Sequence, residues 1–270
     1  MKQSPPYNSQ ILLLDGAMGT AIVDTTKHYD SCLWTSAFNI TGYDTVKTLH
    51  MQYLEAGADI ITSNTFRTNY NAYLFSGIKI NYFDFVNAGM KPALDARTEF
   101  LAREGNANKK IYIAGSNAPA EDCYQKQRTV SQKELKTNHQ LHIEALLNSG
   151  ADLILNETQS HLDEIELVCT ICEQLHTPYA VSLYLDDNLS LLSGESVEDA
   201  LALLSRYSPD MICFNCISPS LFYKLLERVK MPDNWGYYLN AIVGDMKKGL
   251  ILNTITEEDY QQIAADSLKY

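Results

Sequence analysis

The feature that most constrains the fold is a regular alternation of short apolar runs with longer amphipathic stretches along the chain. This alternation predicts an α/β fold in which helices wrap a parallel sheet, because consecutive strands never follow one another directly. The predicted strands are 11–14, 59–62, 110–115, 152–156, 179–185, 211–215 and 236–240. The predicted helices are 44–56, 82–104, one that begins at Ser131 with Glu134 completing a capping box, 161–175, 196–207, 218–229 and 256–269.

Right-handed strand–helix–strand crossovers close such a series into a barrel at eight strands. The chain has 270 residues, a length that suits one barrel, and no low-complexity linker divides it. We therefore predict a (β/α)8 TIM barrel whose eighth strand is missing from the chain. Residues 1–270 are predicted to form a single barrel domain that is incomplete at its C-terminus.

The charge and composition exclude several classes of protein. The formal net charge is -12 and the basic residues are scattered, which argues against nucleic-acid and anionic-membrane partners. No apolar run reaches the length of a signal-peptide core or a membrane span, so we predict a cytoplasmic protein. The 6 cysteines then indicate free thiols or a metal site rather than disulfide bonds. The sequence leaves homo-oligomer formation open.

Three side chains able to do chemistry follow predicted strands. Asp15 follows the first strand, Glu157 the fourth and Cys216 the sixth. The carboxyl ends of parallel strands meet at one face of a barrel, where active sites of this fold lie. Inward-facing carboxylates there would hold a substrate ammonium group, and the thiol could act as a metal ligand or a nucleophile. Asp-Gly in a tight turn and a buried structural cysteine are the plainer alternatives.

The other groups of cysteine and histidine residues are weaker candidates for a metal site. Cys169 and Cys172 are predicted to pack on one face of a helix, whereas Cys213 and Cys216 are expected on opposite sides of a strand, so a four-cysteine zinc site is not expected. The pair His139 and His142 is predicted to lie on a solvated or half-buried helix face, because no third ligand accompanies it.

With these strand ends identified, the sequence resembles the homocysteine S-methyltransferase family, whose members use betaine, S-methylmethionine or a cobalamin-dependent donor. The resemblance covers about residues 11 to 220. The matching segments, in chain order, are 14–20, 33–34, His50, 53–66, 114–116, 150–158, 193–195 and 215–216.

The resemblance implies a barrel that binds Zn2+ through three cysteine thiolates and transfers a methyl group to homocysteine, giving methionine. Cys216 matches the first zinc ligand and is therefore the expected catalytic and metal-binding residue. Asp15 and Glu157 match residues that hold the amino group of homocysteine. The other expected substrate-binding residues are Gly16 and Thr65, which match the wall around its carboxylate and chain, and Asn215, next to Cys216. The expected partners are small molecules, homocysteine and a methyl donor, with S-methylmethionine favoured and betaine next.

One departure from the family pattern leaves alternatives open. The other two zinc ligands of the family form an adjacent cysteine pair on strand eight, and no cysteine follows Cys216 in this chain. Zinc is therefore expected to be unbound or incompletely held by these 270 residues. The alternative is a catalytically silent, metal-free barrel that binds an amino acid or thiol through Asp15 and Glu157. A lyase or aldolase would need a strand-end lysine or a phosphate loop, and neither is found.

Overall fold

The computed structural model describes residues 11–26, 32–245 and 250–270. Its centre is a curled parallel sheet of six strands, which are hydrogen-bonded to one another in chain order. All six overlap predicted strands. They are β1 (Ile60–Thr62), β2 (Tyr112–Asn117), β3 (Leu153–Gln159), β4 (Tyr179–Leu183), β5 (Met211–Asn215) and β6 (Trp235–Tyr238).

The predicted strand 11–14 lies beside β1 as a short extension of the sheet. A parallel bridge joins Leu14 to Ile60. The backbone N–H of Asp15 donates to the carbonyl oxygen of Ile60 at 2.9 Å, which continues the pairing by one residue. These contacts bring the end of the first predicted strand to the same edge as the end of β1.

The helices cover the outside of the sheet, and every predicted helix is present. They are α1 (Met18–Thr26), α2 (Phe38–Thr41), α3 (Tyr43–Glu55), α4 (Tyr70–Ser76), α5 (Tyr82–Ala102), α6 (Gln132–Asn148), α7 (Leu162–Gln174), α8 (Val197–Leu204), α9 (Pro219–Arg228) and α10 (Glu257–Ser267). The capping box predicted at Ser131 and Glu134 is confirmed. The sequence did not predict α1, α2 and α4, which lie within connections after strands. Within the described ranges, no helix is both long and apolar enough to cross a membrane.

Alternating side chains of the strands form two separate apolar layers. Ile60, Ala114, Leu153, Leu155 and Ala180, which all come from strands, pack together inside the curl of the sheet. A larger cluster joins the opposite faces of the strands to the helices. This division is typical of a (β/α) barrel and fixes which side of each strand faces the barrel interior.

The segment after β6 differs from the prediction. The predicted strands and helices leave residues 241–255 as a loop before the last helix, whereas the backbone forms an antiparallel hairpin of β7 (Ile242–Asp245) and β8 (Leu250–Thr254). The hairpin is separate from the parallel sheet. The described residues therefore form part of a (β/α) barrel, as predicted, with an unpredicted hairpin at one end.

Candidate active site

Asp15, Glu157 and Cys216 come together at the carboxyl ends of the strands. The charge of Glu157 is near enough to raise the pKa of both Asp15 and Cys216. Each residue comes from a different strand, so the curl of the parallel sheet is what gathers them. The mouth of the barrel thus brings two carboxyl groups close to the Cys216 thiol.

Asp15 is almost completely buried, with 7% of its surface exposed. Its Oδ2 accepts a hydrogen bond from the backbone N–H of Thr62 at 2.8 Å. Burial outweighs this hydrogen bond, and with a smaller contribution from Glu157 it raises the pKa of Asp15 to about 8. The carboxyl group is therefore mostly protonated at neutral pH.

Glu157 is half-buried and faces the barrel interior, on the same face of β3 as Leu153 and Leu155. The hydroxyl group of Ser116 donates to its Oε1, and the hydroxyl group of Tyr238 donates to Oε2 at 3.1 Å. Burial raises the pKa of Glu157 although both hydrogen bonds lower it. Neighbours on both sides hold this carboxyl group in one orientation.

A bulge in β3 lies directly beside Glu157. Between the pairs Asn156–Val181 and Gln159–Leu183, β3 has one residue more than β4, and the register shifts there. Thr158 takes up the extra length with a φ of 58°, which is unfavourable for a β-branched residue. Bulges of this kind commonly redirect side chains next to active sites.

Asn215 stabilises the bulge from two strands away. Its Oδ1 accepts from the N–H of Thr158 at 3.0 Å and from the hydroxyl of Ser182 at 2.7 Å. Its Nδ2 donates to Oγ1 of Thr158 at 2.8 Å and lies 3.1 Å from Sγ of Cys216. The side chain is completely buried. Asn215 therefore lies beneath the site and contacts both Thr158, which follows Glu157, and Cys216.

Cys216 lies one residue beyond β5, with a φ of 57°. Strand alternation therefore does not set the direction of its side chain. The thiol is half-buried, and the hydroxyl group of Tyr124 lies beside it. Burial, followed by the charge of Glu157, raises the pKa of Cys216, so the isolated thiol is protonated at neutral pH.

Thr65 and Gly16 lie at the same edge of the sheet. The Thr65 side chain is completely buried, and its hydroxyl donates to the carbonyl oxygen of Ser116 at 2.9 Å. Gly16 is exposed, and a Cβ placed on it would come within 2.9 Å of the Tyr53 ring. The close approach of Tyr53 is thus a structural reason for glycine at this position.

The remaining paired cysteines lie in the protein interior. Cys169 and Cys172 are buried in the outer apolar layer, as predicted. Cys213 is also buried, and a Cβ on Gly236 would lie 3.4 Å from its sulfur atom. The described residues contain no group of three His, Cys, Asp or Glu side chains arranged to hold a metal ion.

The prediction that His139 and His142 face solvent, or are only half-buried, is wrong. Both are completely buried, because polar side chains of neighbouring elements provide hydrogen-bond partners. Nε2 of His139 is 2.7 Å from Oε1 of Glu164, and Nδ1 of His142 is 2.9 Å from Oδ1 of Asn117. Burial, followed by the charge of His139, lowers the pKa of His142 to about 3. The pair belongs to a structural network beneath the mouth of the barrel.

Sequence reasoning did not single out Tyr124, Tyr184 or Tyr238 as site residues. Tyr238 has a weak sequence signal, since it ends the last strand of the sheet. Tyr184 has a similar signal, since it directly follows β4. Tyr124 has none, because its position near Cys216 depends on how the connection after β2 folds over the barrel mouth. Their rings pack edge to face with centroids 5.1 Å apart.

Comparisons with known proteins agree with this architecture. The profile of the homocysteine S-methyltransferase family matches residues 12–268. Homocysteine S-methyltransferase 1 of Zea mays is 26% identical over 223 residues, which cover 77% of this chain and 69% of that protein. Homocysteine S-methyltransferase of Escherichia coli is 27% identical over 233 residues, with 81% and 74% covered.

Two crystal structures of the homocysteine methyltransferase MmuM from Escherichia coli share the fold. The metallated form has a TM-score of 0.75 at 24% identity and covers 86% of this chain and 84% of its own. The oxidised form has a TM-score of 0.75 at 25% identity and covers 86% and 83%. The family profile spans nearly the whole chain, and the barrel architecture agrees with it. The chain therefore belongs to the homocysteine S-methyltransferase family.

Proposed function

We propose that this protein transfers a methyl group from an activated donor to homocysteine, forming methionine. The observation that supports the proposal is that the buried carboxyl group of Asp15 and the half-buried one of Glu157 lie near the Cys216 thiol, at the mouth of a barrel of this family. In the reaction, the homocysteine sulfur forms a bond to the donor methyl carbon. The bond between that carbon and the donor heteroatom breaks, its electron pair stays on the donor, and the thiol proton goes to solvent.

Asp15 and Glu157 are proposed to bind the ammonium group of homocysteine. Burial disfavours the charged form of both carboxyl groups in the free protein. A substrate ammonium group would restore the charged form, because an opposite charge within a few ångströms lowers the pKa of a carboxyl group. Charge-assisted hydrogen bonds are also stronger where water is partly excluded. Ser116 and Tyr238 hold Glu157 in the orientation needed for this contact.

Thr65, Gly16 and Asn215 are proposed to shape the substrate site in different ways. The buried hydroxyl of Thr65 fixes the backbone beside Glu157 through Ser116. Gly16 leaves room for the Tyr53 ring next to Asp15. Asn215 acts as a positioning residue, since its amide is committed to Thr158, Ser182 and Cys216.

Cys216 is proposed to be a zinc ligand and so the residue that assists the homocysteine sulfur. Bound zinc would stabilise the substrate thiolate at neutral pH. The E. coli relative is described in a metallated form, which supports metal binding in the family. Structural zinc sites have four protein ligands and catalytic ones three, and the described residues contain no group of three His, Cys, Asp or Glu side chains that could hold a metal ion. The described residues therefore do not fit zinc by themselves.

The proposed donor is S-methylmethionine, with betaine as the second choice. An S-methylated sulfonium and a quaternary ammonium both carry the positive charge that activates a methyl group for attack by sulfur.

Methionine formation tests the proposal. Purified protein is incubated with homocysteine and either S-methylmethionine or betaine, with zinc and with a chelator, and methionine is measured by mass spectrometry. Formation of methionine is expected, and the Glu157→Gln variant should lower it. Homocysteine binding that is equal with and without chelator, together with no turnover, would instead establish the metal-free binding barrel.

A further inference from the structure

Exposed apolar side chains are concentrated on the surface formed by the end of α4, the turn after it and the start of α5. Leu74, Phe75, Ile80 and Phe83 are all exposed there, Phe75 by 77%. We call residues 74–83 the apolar patch. Single exposed apolar residues are ordinary on protein surfaces, but a group of neighbouring ones marks an interaction surface.

An aromatic cluster holds the two ends of the apolar patch together. The rings of Tyr73 and Tyr82 pack with their centroids 5.2 Å apart. The hydroxyl group of Tyr73 donates to the carbonyl oxygen of Ile80 at 2.9 Å. The side chain of Asn81 caps α5 by accepting from the backbone N–H of Asp84 at 2.9 Å. The apolar patch is therefore preformed, and a partner would bind it without first having to order the backbone.

The apolar patch carries little charge, unlike the chain as a whole. Charged residues make up 20% of the chain and its formal net charge is -12, whereas the run 70–90 contains only Lys79 and Asp84. Both of these residues are exposed, and their charges cancel. Two copies of a chain with a large net charge repel each other, and this repulsion is weakest between neutral surfaces. Charge therefore favours self-association through the apolar patch over self-association through an acidic surface.

The two charged residues make this surface complementary to itself. In a dimer with two-fold symmetry, every contact between two different residues occurs twice, once on each side of the axis. If Lys79 contacts Asp84 of the partner subunit, the partner's Lys79 contacts Asp84 in return. One cation and one anion on the same apolar surface therefore satisfy both contacts, with no charge left unpaired.

The exposed apolar area suits the centre of a small dimer interface. A large apolar side chain presents about 150–250 Å² of surface, so the four exposed residues together present roughly 300–500 Å². The largest apolar patch of a typical monomer has about 300–600 Å² and is often functional. A standard interface buries about 800 Å² on each partner, of which these four residues would supply around half. These areas predict a reversible dimer of micromolar affinity rather than a permanent one.

We propose that the apolar patch binds a second copy of this chain, in a two-fold dimer that pairs Lys79 with Asp84 of the partner subunit. Burial of the exposed apolar side chains at the centre supplies the affinity. The charged pairs at the edge fix the relative orientation of the two copies. This inference does not depend on the proposed reaction.

Sedimentation velocity of the purified protein at concentrations of about 1–200 µM tests this proposal. A shift from monomer to dimer is expected within this range. Phe75→Ser should raise the dissociation constant of the dimer by about tenfold or more, because each dimer loses two aromatic side chains from its centre. Leu268→Ser is the matched control, since Leu268 is 67% exposed at the end of α10, outside the apolar patch. This control should leave the dissociation constant unchanged.

Exchange of the charged residues tests the symmetry of the dimer. Lys79→Glu places two negative side chains opposite each other, and Asp84→Lys places two positive ones there, so each variant alone should dimerise about tenfold more weakly. A mixture of the two variants has opposite charges at both contacts and should dimerise nearly as tightly as the wild type. Lys230→Glu makes the same change of charge at an exposed lysine before β6, and it should not weaken the dimer.

Several results would overturn the proposal. A protein that stays monomeric at every concentration, or a dimer that Phe75→Ser leaves unchanged, would show that no second copy binds the apolar patch. Hydroxyl-radical footprinting of such a monomer then identifies the occupant. Protection of Phe75 would assign the patch to another part of the same chain, and full reactivity would leave it to a different protein. A dimer that Phe75→Ser weakens, but that mixing the two charge variants does not restore, would overturn the pairing of Lys79 with Asp84 of the partner subunit.

Discussion

Replacing Asp15 by asparagine is expected to weaken homocysteine binding while making the folded protein more stable. Asparagine has nearly the same shape, and its side-chain oxygen can still accept the hydrogen bond from Thr62 that the aspartate accepts now. The substitution therefore removes a charge without opening a cavity. Its two effects come from the same property, the unfavourable burial of a carboxylate.

The effect on binding depends on pH. A charge-assisted hydrogen bond from the substrate ammonium group to Asp15 contributes about 1.5–3 kcal/mol. At pH 7 the free carboxyl group is mostly protonated, since its pKa is about 8. The wild-type affinity should therefore rise between pH 6 and pH 8, by at most about tenfold per pH unit, whereas that of Asp15→Asn should stay nearly flat.

The effect on stability has the opposite sign. The pKa of Asp15 is raised from 3.8 to about 8, so the folded protein holds this proton more tightly than the unfolded chain does. The contribution of Asp15 to stability is thus complete below pH 4 and is lost as pH rises towards 8. At 1.36 kcal/mol per pH unit, the upper limit of this loss is about 6 kcal/mol. Asparagine does not ionise and therefore avoids this loss of stability. Asp15→Asn should melt at a higher temperature than the wild type at pH 8, and the two proteins should melt at similar temperatures at pH 4.

Calorimetric titration with homocysteine and thermal unfolding at both pH values measure these effects. Asp233→Asn serves as the control, because Asp233 is an exposed aspartate in the connection before β6 and its substitution should change neither quantity. Unchanged homocysteine affinity in both Asp15→Asn and Glu157→Gln would refute the assignment of the ammonium site. A variant that is less stable than the wild type at pH 8 would show that the Asp15 carboxylate is not costly to bury.

Three further outcomes are expected. Homocysteine binding at pH 7 should release about 0.9 proton per site as Asp15 ionises, which calorimetry in buffers of different ionisation enthalpy would detect; no release would contradict the raised pKa. Thiol labelling of the native chain should modify Cys216 before Cys213 and Cys172, since the latter two are buried. Peptide mass spectrometry reads the order of labelling, and faster labelling of Cys213 would contradict the orientation of β5. Asn215→Ala should lower the free energy of unfolding by about 2–4 kcal/mol, because the substitution leaves several buried polar groups without partners. Urea unfolding measures this change, and a change below about 0.5 kcal/mol would contradict the prediction.

The strands of the sheet could be predicted well because the sequence pattern that indicates each strand is local. Each strand is a short apolar run with a clear end, so the order of the strands and the edge where their ends meet follow from parallel topology. Asp15, Glu157 and Cys216 could be placed at one face for this reason. Their proximity required no knowledge of side-chain packing.

Features that depend on distant partners could not be predicted. A positive φ at Thr158 is locally unfavourable, and only the hydrogen bonds of Asn215 make the bulge understandable. His139 resembles a surface residue until Glu164, from the next helix, supplies its buried partner. The position of Tyr124 beside Tyr184 and Cys216 likewise depends on how the connection after β2 folds over the barrel mouth.

The bulge in β3 has a consequence for the discrimination of substrates by length. The same buried amide, that of Asn215, contacts Thr158 next to Glu157 and the sulfur atom of Cys216. In the proposed function these are the two ends of the homocysteine site, so their separation is set by one rigid side chain. Cysteine is one methylene group shorter than homocysteine and could not span both ends, a difference that binding sites convert into about 1–3 kcal/mol. Substitutions that loosen this amide should therefore reduce the preference for homocysteine over cysteine more than they reduce homocysteine affinity itself.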